Sequence, residues 1–524
     1  MSTGWRSVAD VVGGSARLAH GLVPVRRATP RRLSRIARDI SIHGLTLPGL
    51  IRVAATRSGD EVLMIDRFGP VTAAELDRWC VTVAGELTRR EILVVGGKVG
   101  ILCRSGRDFV VAVVASIQLG ADAVVLQPNF SAPELAELLR AEDLRAIIHD
   151  EEFGDLLTAA RFRGQSILAD VTSPGAPSLR SMRSLPRADL ARPPRRGHLV
   201  VTTAGVTGRP RPARRAGVGP RGGAPLATLV RRLELRRGAP MLVSAPLHQP
   251  FGLQFFGLAV GLGCPVISLD RFGATQTLAL IDEHRVDTLV VTPVGLGQLV
   301  DALADRPAPP SLRTIVTGGG PLLASRWRRA VAAFGPIVHH VYGSAETGWC
   351  TLATPADLAA APGTVGRVAA GIDLRLVDDD GRKVPPGAIG RLLVESPLAA
   401  AGTPDHDGLV DSGDLGHVDR AGRYFIDGRA AEVIRVDGVD VFPDAVEDVV
   451  LSDPGVTDVA VTAAPPGDKP GPVALVVAAR DAAPSVDTLA AAVVAALGPA
   501  ARPRSIRIVS SIPTTDTGRR RRAH

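Results

Sequence analysis

Short continuous runs of Val, Ile and Leu punctuate the chain from about residue 46 onward, separated by stretches whose apolar positions follow helical spacing. The runs Val99–Cys103, Ala123–Leu126, Ala146–His149, Leu199–Thr203, Met241–Ser244, Val266–Leu269, Thr288–Thr292, Thr314–Thr317 and Ile337–Val341 predict strands buried on both faces. Ala132–Arg140 and Thr275–His284 predict helices between such strands. This alternation predicts an α/β architecture with largely parallel sheets flanked by helices.

The pattern changes after about residue 363. The strand-like runs Asp373–Val377, Gly390–Val394 and Tyr424–Asp427 alternate with tight turns such as Asp379-Asp380-Gly381, which predicts a small antiparallel β unit. The stretch 430–524 predicts a compact α+β domain, with helices over Asp444–Leu451 and Val486–Leu497 and strands over Thr457–Thr462, Val473–Ala478 and Ser505–Ile508. Residues 1–45 stand apart. They carry eight arginines and two aspartates, and Leu33, Ile36 and Ile40 share one helical face. The expected division is therefore a basic helical extension (1–45), a large domain (46–429) and a small C-terminal α+β domain (430–524). The extension packs on the main body or binds a membrane surface or partner, so peripheral membrane contact is open to it.

Composition narrows the classes. The chain has 524 residues, and at 45% hydrophobic it can build a substantial core. Basic residues exceed acidic ones by eight, but only Lys98, Lys383 and Lys469 are lysines. That imbalance reads as arginine bias, and nucleic acid is not an expected partner. The four cysteines are far apart and form no CxxC pair, which fits a reducing, cytoplasmic setting and excludes a disulfide scaffold. The longest apolar run, Phe255–Leu269, is broken by Gly257, Gly261, Gly263 and Pro265 and predicts helix, turn and strand rather than a membrane span.

Three loops carry candidate chemistry. Thr202–Arg211 follows the Leu199 strand, and Gly205 and Gly208 let the backbone approach a ligand. Successive N–H groups, the Thr203 and Thr207 hydroxyls and Arg211 could grip phosphate, the alternative being a basic surface loop. Val341–Thr347 places Tyr342, one of two tyrosines in the chain, at a strand end four residues before Glu346. Tyr342 could stack on a base and Glu346 hold Mg²⁺, or the segment could be a structural turn. Asp411–Asp414 with Gly428–Arg429 could hold ribose hydroxyls, although taken singly such Asp-Gly turns are commonplace and read first as ordinary turns. By contrast Gly217–Gly222 matches GxGxxG only by letter, because Pro220 interrupts it and no apolar strand precedes it.

In order and spacing these segments resemble the adenylate-forming, AMP-binding superfamily of acyl-CoA synthetases, peptide-synthetase adenylation domains and luciferases. Thr203–Arg211 is similar to TSGTTGxPK, Gly318–Leu322 to the glycine turn before the adenine pocket, Tyr342–Glu346 to YGxTE, and Gly363–Gly366 to the following GxxG segment. Asp411–Asp414 resembles the TGD element, Gly428–Arg429 opens GRxDxxIKxxG, and Pro513–Arg522 resembles PxTxxGKxxR. The resemblance covers roughly residues 46–524.

It implies a large N-terminal domain and a small mobile C-terminal one, with ATP, Mg²⁺ and CoA as reactants. Thr203, Gly205, Thr207, Gly208 and Arg211 would hold phosphates. Gly319, Gly320 and Tyr342 would hold adenine, Asp414 and Arg429 ribose, and Glu346 the metal. Arg519 would take the place of the adenylation lysine. Departures fall at working positions: Ala204, Val206, Arg211, Pro212, Ala345, Ala431 and Arg519 stand where the family has serine, threonine, lysine, glycine, threonine, an acid and lysine.

Pro246–Gly252 resembles the PxxHxxG segment of acyl-CoA synthetases, which would put His248 in the acyl pocket; a buried structural histidine is the alternative. The apolar helix Phe251–Val260 behind it favours medium or long-chain acids. The expected function is AMP-forming ligation of a carboxylic, fatty acid to CoA. A catalytically weakened binding or regulatory homologue, or an enzyme loading a carrier-protein thiol, are the alternatives.

Overall fold

The computed structural model describes residues 29–171, 177–187, 190, 193–203, 211–215, 217–401, 408–465, 468–478 and 484–512. It has a mixed α/β fold, with parallel sheets in a large N-terminal part and a small α+β segment at the C-terminal end. Contacts divide the chain into two compact units. The first holds most of residues 1–290 and a strip at 397–403; the second holds most of 291–524.

The first unit contains a six-stranded sheet in the order Gln165–Leu168, Ala146–His149, Lys98–Leu102, Asp122–Val125, Leu199–Thr203 and Arg211–Arg215. All pairings are parallel except the last. Beyond their first residues, Lys98 and Asp122, its central strands are apolar on both faces and buried, because helices cover them from either side. A second group of parallel strands joins Val62–Asp66, Val266–Ser268, Met241–Val243 and Thr288–Val291, with Gly69–Thr72 as a hairpin return. Most strand ends fall within one or two residues of those expected from sequence, and the apolar run at 255–269 resolves as anticipated. The helix Pro250–Leu262 ends at Gly263 in left-handed geometry, and a short strand follows.

Arg211–Arg215 was not expected to be a strand. Its sequence, Arg-Pro-Ala-Arg-Arg, is charged and contains proline. It pairs antiparallel with Leu199–Thr203 at the sheet edge, where a proline lacking its N–H is tolerated. Arg214 reaches Asp122 (Nη2–Oδ2 3.0 Å) and Arg215 donates to the Leu398 carbonyl. This arginine pair, which could suggest nucleic acid, is thus spent on internal contacts.

In the second unit Thr314–Gly318 pairs parallel with Val338–Ser344, which turns back through Gly348–Ala353. The expected strand Ile337–Val341 therefore extends three residues further. Parallel pairing ends at Gly318↔Val341, but the hairpin partner continues to bond Tyr342 through Ser344. A four-stranded antiparallel meander follows: Asp373–Val377, Gly390–Glu395, Val410–Val418, Tyr424–Arg429.

The terminal α+β segment has a core of Val446, Val450, Val459, Val461, Ala474, Val476, Leu489 and Val493, which also takes in Leu323. The helix Ala324–Phe334 has no capping side chain of its own. Asp448 supplies one from the terminal segment. Its Oδ1 accepts from the Ser325 amide (2.8 Å) and hydroxyl (2.6 Å), placing a carboxylate at the positive end of that helix. Arg326, next in line, pairs with Asp458 at 3.2 Å.

Candidate functional site

The phosphate-type loop belongs to the first unit. Residues 204–210, with Ala204, Gly205, Val206, Thr207 and Gly208, lie outside the described residues. Thr203 and Arg211 flank them as backbone partners in the edge hairpin, so the two ends of the loop are joined by strand pairing. One residue before the loop, the Thr202 hydroxyl donates to the Val125 carbonyl (2.7 Å).

Gln127 links this strand to the His248 segment. Its amide Nε2 donates to the Thr202 carbonyl (3.0 Å) and lies 3.4 Å from the His248 carbonyl. Its Oε1 accepts from Gln249 Nε2. Gln127, His248 and Gln249 are all buried, and the Leu247 amide is held by the Ser105 hydroxyl at 2.8 Å. Sequence reasoning missed Gln127 and Gln249. The available signal was an amide side chain ending the fully apolar run Ala123–Leu126, where a buried polar group needs partners.

The adenine- and ribose-type residues belong to the second unit. Gly318↔Val341 is the last rung of a parallel pair, so Gly319 and Gly320 leave one strand end beside Tyr342 on the next. Gly319 has φ +78°, a turn that an L side chain would strain. The tip after Tyr342 is tied by Ser344 and Thr347: the Ser344 hydroxyl accepts from the amides of Glu346 (3.2 Å) and Thr347 (3.1 Å). Half-buried Glu346 and buried Ala345 occupy this tip.

Asp414 reaches Tyr342 through a bulge. Leu393 pairs with Asp411 and Arg391 with Leu415, so Ser412, Gly413 and Asp414 oppose a single residue, Leu392. Gly413 takes φ +71° to make the bend, and the Ser412 hydroxyl fills it by donating to the Leu392 carbonyl (2.8 Å). The Asp414 carboxylate, 3% exposed, then accepts from the Tyr342 hydroxyl at 2.6 Å. On the neighbouring strand Arg429 pairs with Asp414 in register, its Nε 3.4 Å from Oδ1. Burial first, and the Asp414 charge second, push the Tyr342 phenol well above the tyrosine range, so it stays a neutral donor.

Gly363–Gly366 is pinned to the start of the strand that carries Arg429. The Thr364 hydroxyl donates to the Tyr424 carbonyl (2.7 Å), and the Val365 amide donates to the same carbonyl (2.8 Å). Gly366 sits against Leu352, whose carbonyl is 2.1 Å from where a Cβ would stand. Immediately after Arg429, Ala430–Glu432 form a single 3₁₀ turn with Ala431 exposed. Arg519 lies outside the described residues.

The structure thus brings Tyr342, Asp414, Arg429, Gly319 and Gly320 together, and ties His248 to the strand entering the phosphate-type loop. Cys80, Cys103, Cys264 and Cys350 are all buried and none is in a disulfide, and burial raises the thiols of the first three.

Known proteins bear on this arrangement. A family model described as AMP-binding enzyme matches residues 51–402, and one for the AMP-binding enzyme C-terminal domain matches 445–519. An indoleacetate–CoA ligase of Aromatoleum aromaticum is 30% identical over 50% of this chain and 53% of its own length. The medium/long-chain-fatty-acid–CoA ligase FadD8 of Mycobacterium tuberculosis is 28% identical over 76% of this chain and 72% of its own. The amide bond synthetase McbA from Marinactinospora thermotolerans superposes with a TM-score of 0.77 at 26% identity, over 91% of this chain and 98% of that one. The chain therefore belongs to the family of AMP-binding enzymes, in their adenylate-forming fold.

Proposed function

We propose that this chain is an acid–thiol ligase that activates a carboxylic acid, of the fatty class, with Mg·ATP and transfers it to CoA. The single observation that carries the reading is the Tyr342–Asp414–Arg429 group, in which Tyr342 at the end of a parallel strand pair meets Asp414 and Arg429 on two antiparallel neighbours. Asp414 is a buried carboxylate with one neutral donor and one cation beside it, and its remaining lone pairs suit two vicinal ribose hydroxyls. Gly319 and Gly320 offer a flat, side-chain-free edge next to Tyr342, which suits a purine.

In the first step a carboxylate oxygen attacks the α-phosphorus of ATP, the bond to the β-phosphate oxygen breaks, and pyrophosphate leaves. In the second a thiolate attacks the acyl carbon and AMP leaves. Both steps need positive charge around phosphate oxygens rather than a protein nucleophile. Thr203, Gly205, Thr207, Gly208 and Arg211 would hold phosphates, Glu346 the Mg²⁺, and Arg519 the developing charge at the α-phosphate. Residues 46–429 would form the nucleotide-binding domain and 430–524 the mobile one. His248 would face the acyl group, and the apolar helix after it favours alkyl chains. Arginine delivers charge as a planar fork rather than a compact ammonium, so Arg519 sets a slower first step than lysine would.

The test is incubation with Mg·ATP, CoA and a panel of fatty and aryl acids, followed by mass detection of acyl-CoA and AMP. Acyl-CoA that depends on both acid and ATP supports the reading. Acyl-adenylate that accumulates with CoA but discharges onto a carrier-protein thiol moves the acceptor to a carrier protein. ATP binding without either product favours the weakened homologue.

A further inference from the structure

We propose that the N-terminal helix Pro30–His43, with the adjoining Val94–Val95 loop, is a docking surface for an anionic lipid bilayer. The helix is capped by Thr29, whose hydroxyl accepts from the Arg32 amide at 3.3 Å, and Pro30 occupies its first turn. Ile36 is 2% exposed and anchors the inner face against the following helix, Leu47–Ser58. Arg31, Arg35 and Arg38 recur at i, i+4 and i+7 with Arg32 beside them, and all four are exposed. Among the described residues none of the four has an ion-pair partner. The helix's one acid, Asp39, accepts from the Thr56 hydroxyl at 2.8 Å. Four positive charges on one short stripe, without an ion-pair partner among the described residues, complement an anionic surface.

The apolar part argues for lipid over an acidic protein. Arg196 Nη2 donates to the Ile42 carbonyl at the end of the helix (3.0 Å), tying it to the 193–198 segment. There Arg195 and Val95 both pack over Gly120, whose φ of +80° and missing Cβ leave room for the Arg195 carbonyl and Val95 Cγ1. Beyond them Val94 and Val95 stand 65% and 48% exposed, the one adjacent pair of exposed large apolar side chains among the described residues. Guanidinium groups for phosphate head groups, and a small apolar tip joined through Arg195–Arg196 to the C-terminal end of the same helix, are the parts of a peripheral membrane contact.

The surface is also connected to the acyl region. Arg57, on the helix Leu47–Ser58, donates to the carbonyls of Gly261 (2.9 Å) and Val260 (3.1 Å) at the end of the helix that begins just after His248. A bilayer held here would lie on the outer layer of that stack, and bilayers are where fatty acids concentrate. The docking surface stands independently of that use, because its test reads binding rather than catalysis.

The experiment is co-sedimentation of the full chain with phosphatidylcholine vesicles and with vesicles also containing phosphatidylglycerol. Binding is expected only to the second, weakening as salt rises. Arg31→Gln/Arg32→Gln/Arg35→Gln/Arg38→Gln should reduce partition at least about a hundredfold. Val94→Ser/Val95→Ser should cost about tenfold and persist at high salt, separating the apolar part from the charged one. Equal binding to both vesicles, or no loss in the fourfold variant, overturns the proposal. So does retention by an acidic carrier protein with no vesicle binding. Should the fourfold variant melt early, the salt titration and the valine variant decide alone.

Discussion

The Tyr342 hydroxyl donates to Asp414 Oδ2 at 2.6 Å, joining residues 72 positions apart in the sequence. Removing the donor in Tyr342→Phe takes one hydrogen bond from a charged acceptor, worth about 1.5 kcal/mol, and should raise the KM for ATP about tenfold. Asp414→Asn loses the charge that Arg429 and any ribose would read, and should cost about a hundredfold in kcat/KM for ATP. The expected ranking, Asn worse than Phe, is checked by steady-state kinetics with thermal melts as the folding control. A Tyr342→Phe loss as large as that of Asp414→Asn would mean that Tyr342 acts by more than holding the carboxylate.

The Asp150 and Asp108 carboxyls predict a pH dependence of stability. Burial raises Asp150 to about 7 and Asp108 to about 6, from an ordinary 3.8. Arg104's amide donates to Asp150 at 2.6 Å and Arg183 to Asp108 at 2.6 Å, but neither offsets desolvation. The folded state therefore holds more protons than the unfolded one between about pH 4 and pH 7, so these groups lower stability as pH rises through that window. Asp150→Asn keeps an acceptor for the Arg104 amide without the buried charge. It should gain on the order of 1 kcal/mol at pH 8, little at pH 4, and flatten the urea-midpoint profile between them.

Asp448 caps a helix that lies over a hundred residues before it. Asp448→Ala should cost about 1–2 kcal/mol, the range for losing an N-cap carboxylate and its hydrogen bonds. The loss should be local: faster amide exchange in 324–334 and 443–463, with unchanged exchange in the sheet of Lys98–Leu102. Uniformly faster exchange would show that Asp448 supports the whole chain rather than this junction.

Gln127→Leu should lower stability by about 2 kcal/mol, because it strips the donor from buried carbonyls of Thr202 and His248. Gln127→Asn is shorter and should recover only part of this in a melting series. A leucine variant as stable as the parent would remove Gln127 from the account of how the loop-bearing strand is held.

Much of the fold was legible because a strand buried on both faces writes itself as a short run of Val, Ile and Leu, as at Ala146–His149. The strand end and glycine beside Tyr342 marked it as a candidate, whereas Asp414 and Arg429 read locally as ordinary turns and stood out only through the ordered resemblance of the motifs to the family. Their direct contact was not legible, since it depends on a three-residue bulge at Ser412–Asp414 that no periodicity announces. The strand Arg211–Arg215 was hidden for the opposite reason: its proline and three arginines argue locally for a loop, and only the edge position makes them acceptable. Gln127 is invisible until its partners, 75 and 121 positions away, are brought to it.

Acid-dependent exchange of labelled pyrophosphate into ATP tests the central claim most directly, because it reads adenylate formation without requiring a particular thiol. The account predicts exchange with at least one fatty acid, faster in the Arg519→Lys/Ala345→Thr variant and nearly abolished in Asp414→Asn. No exchange above background with any acid, in the parent chain and in the Arg519→Lys/Ala345→Thr variant alike, would contradict it.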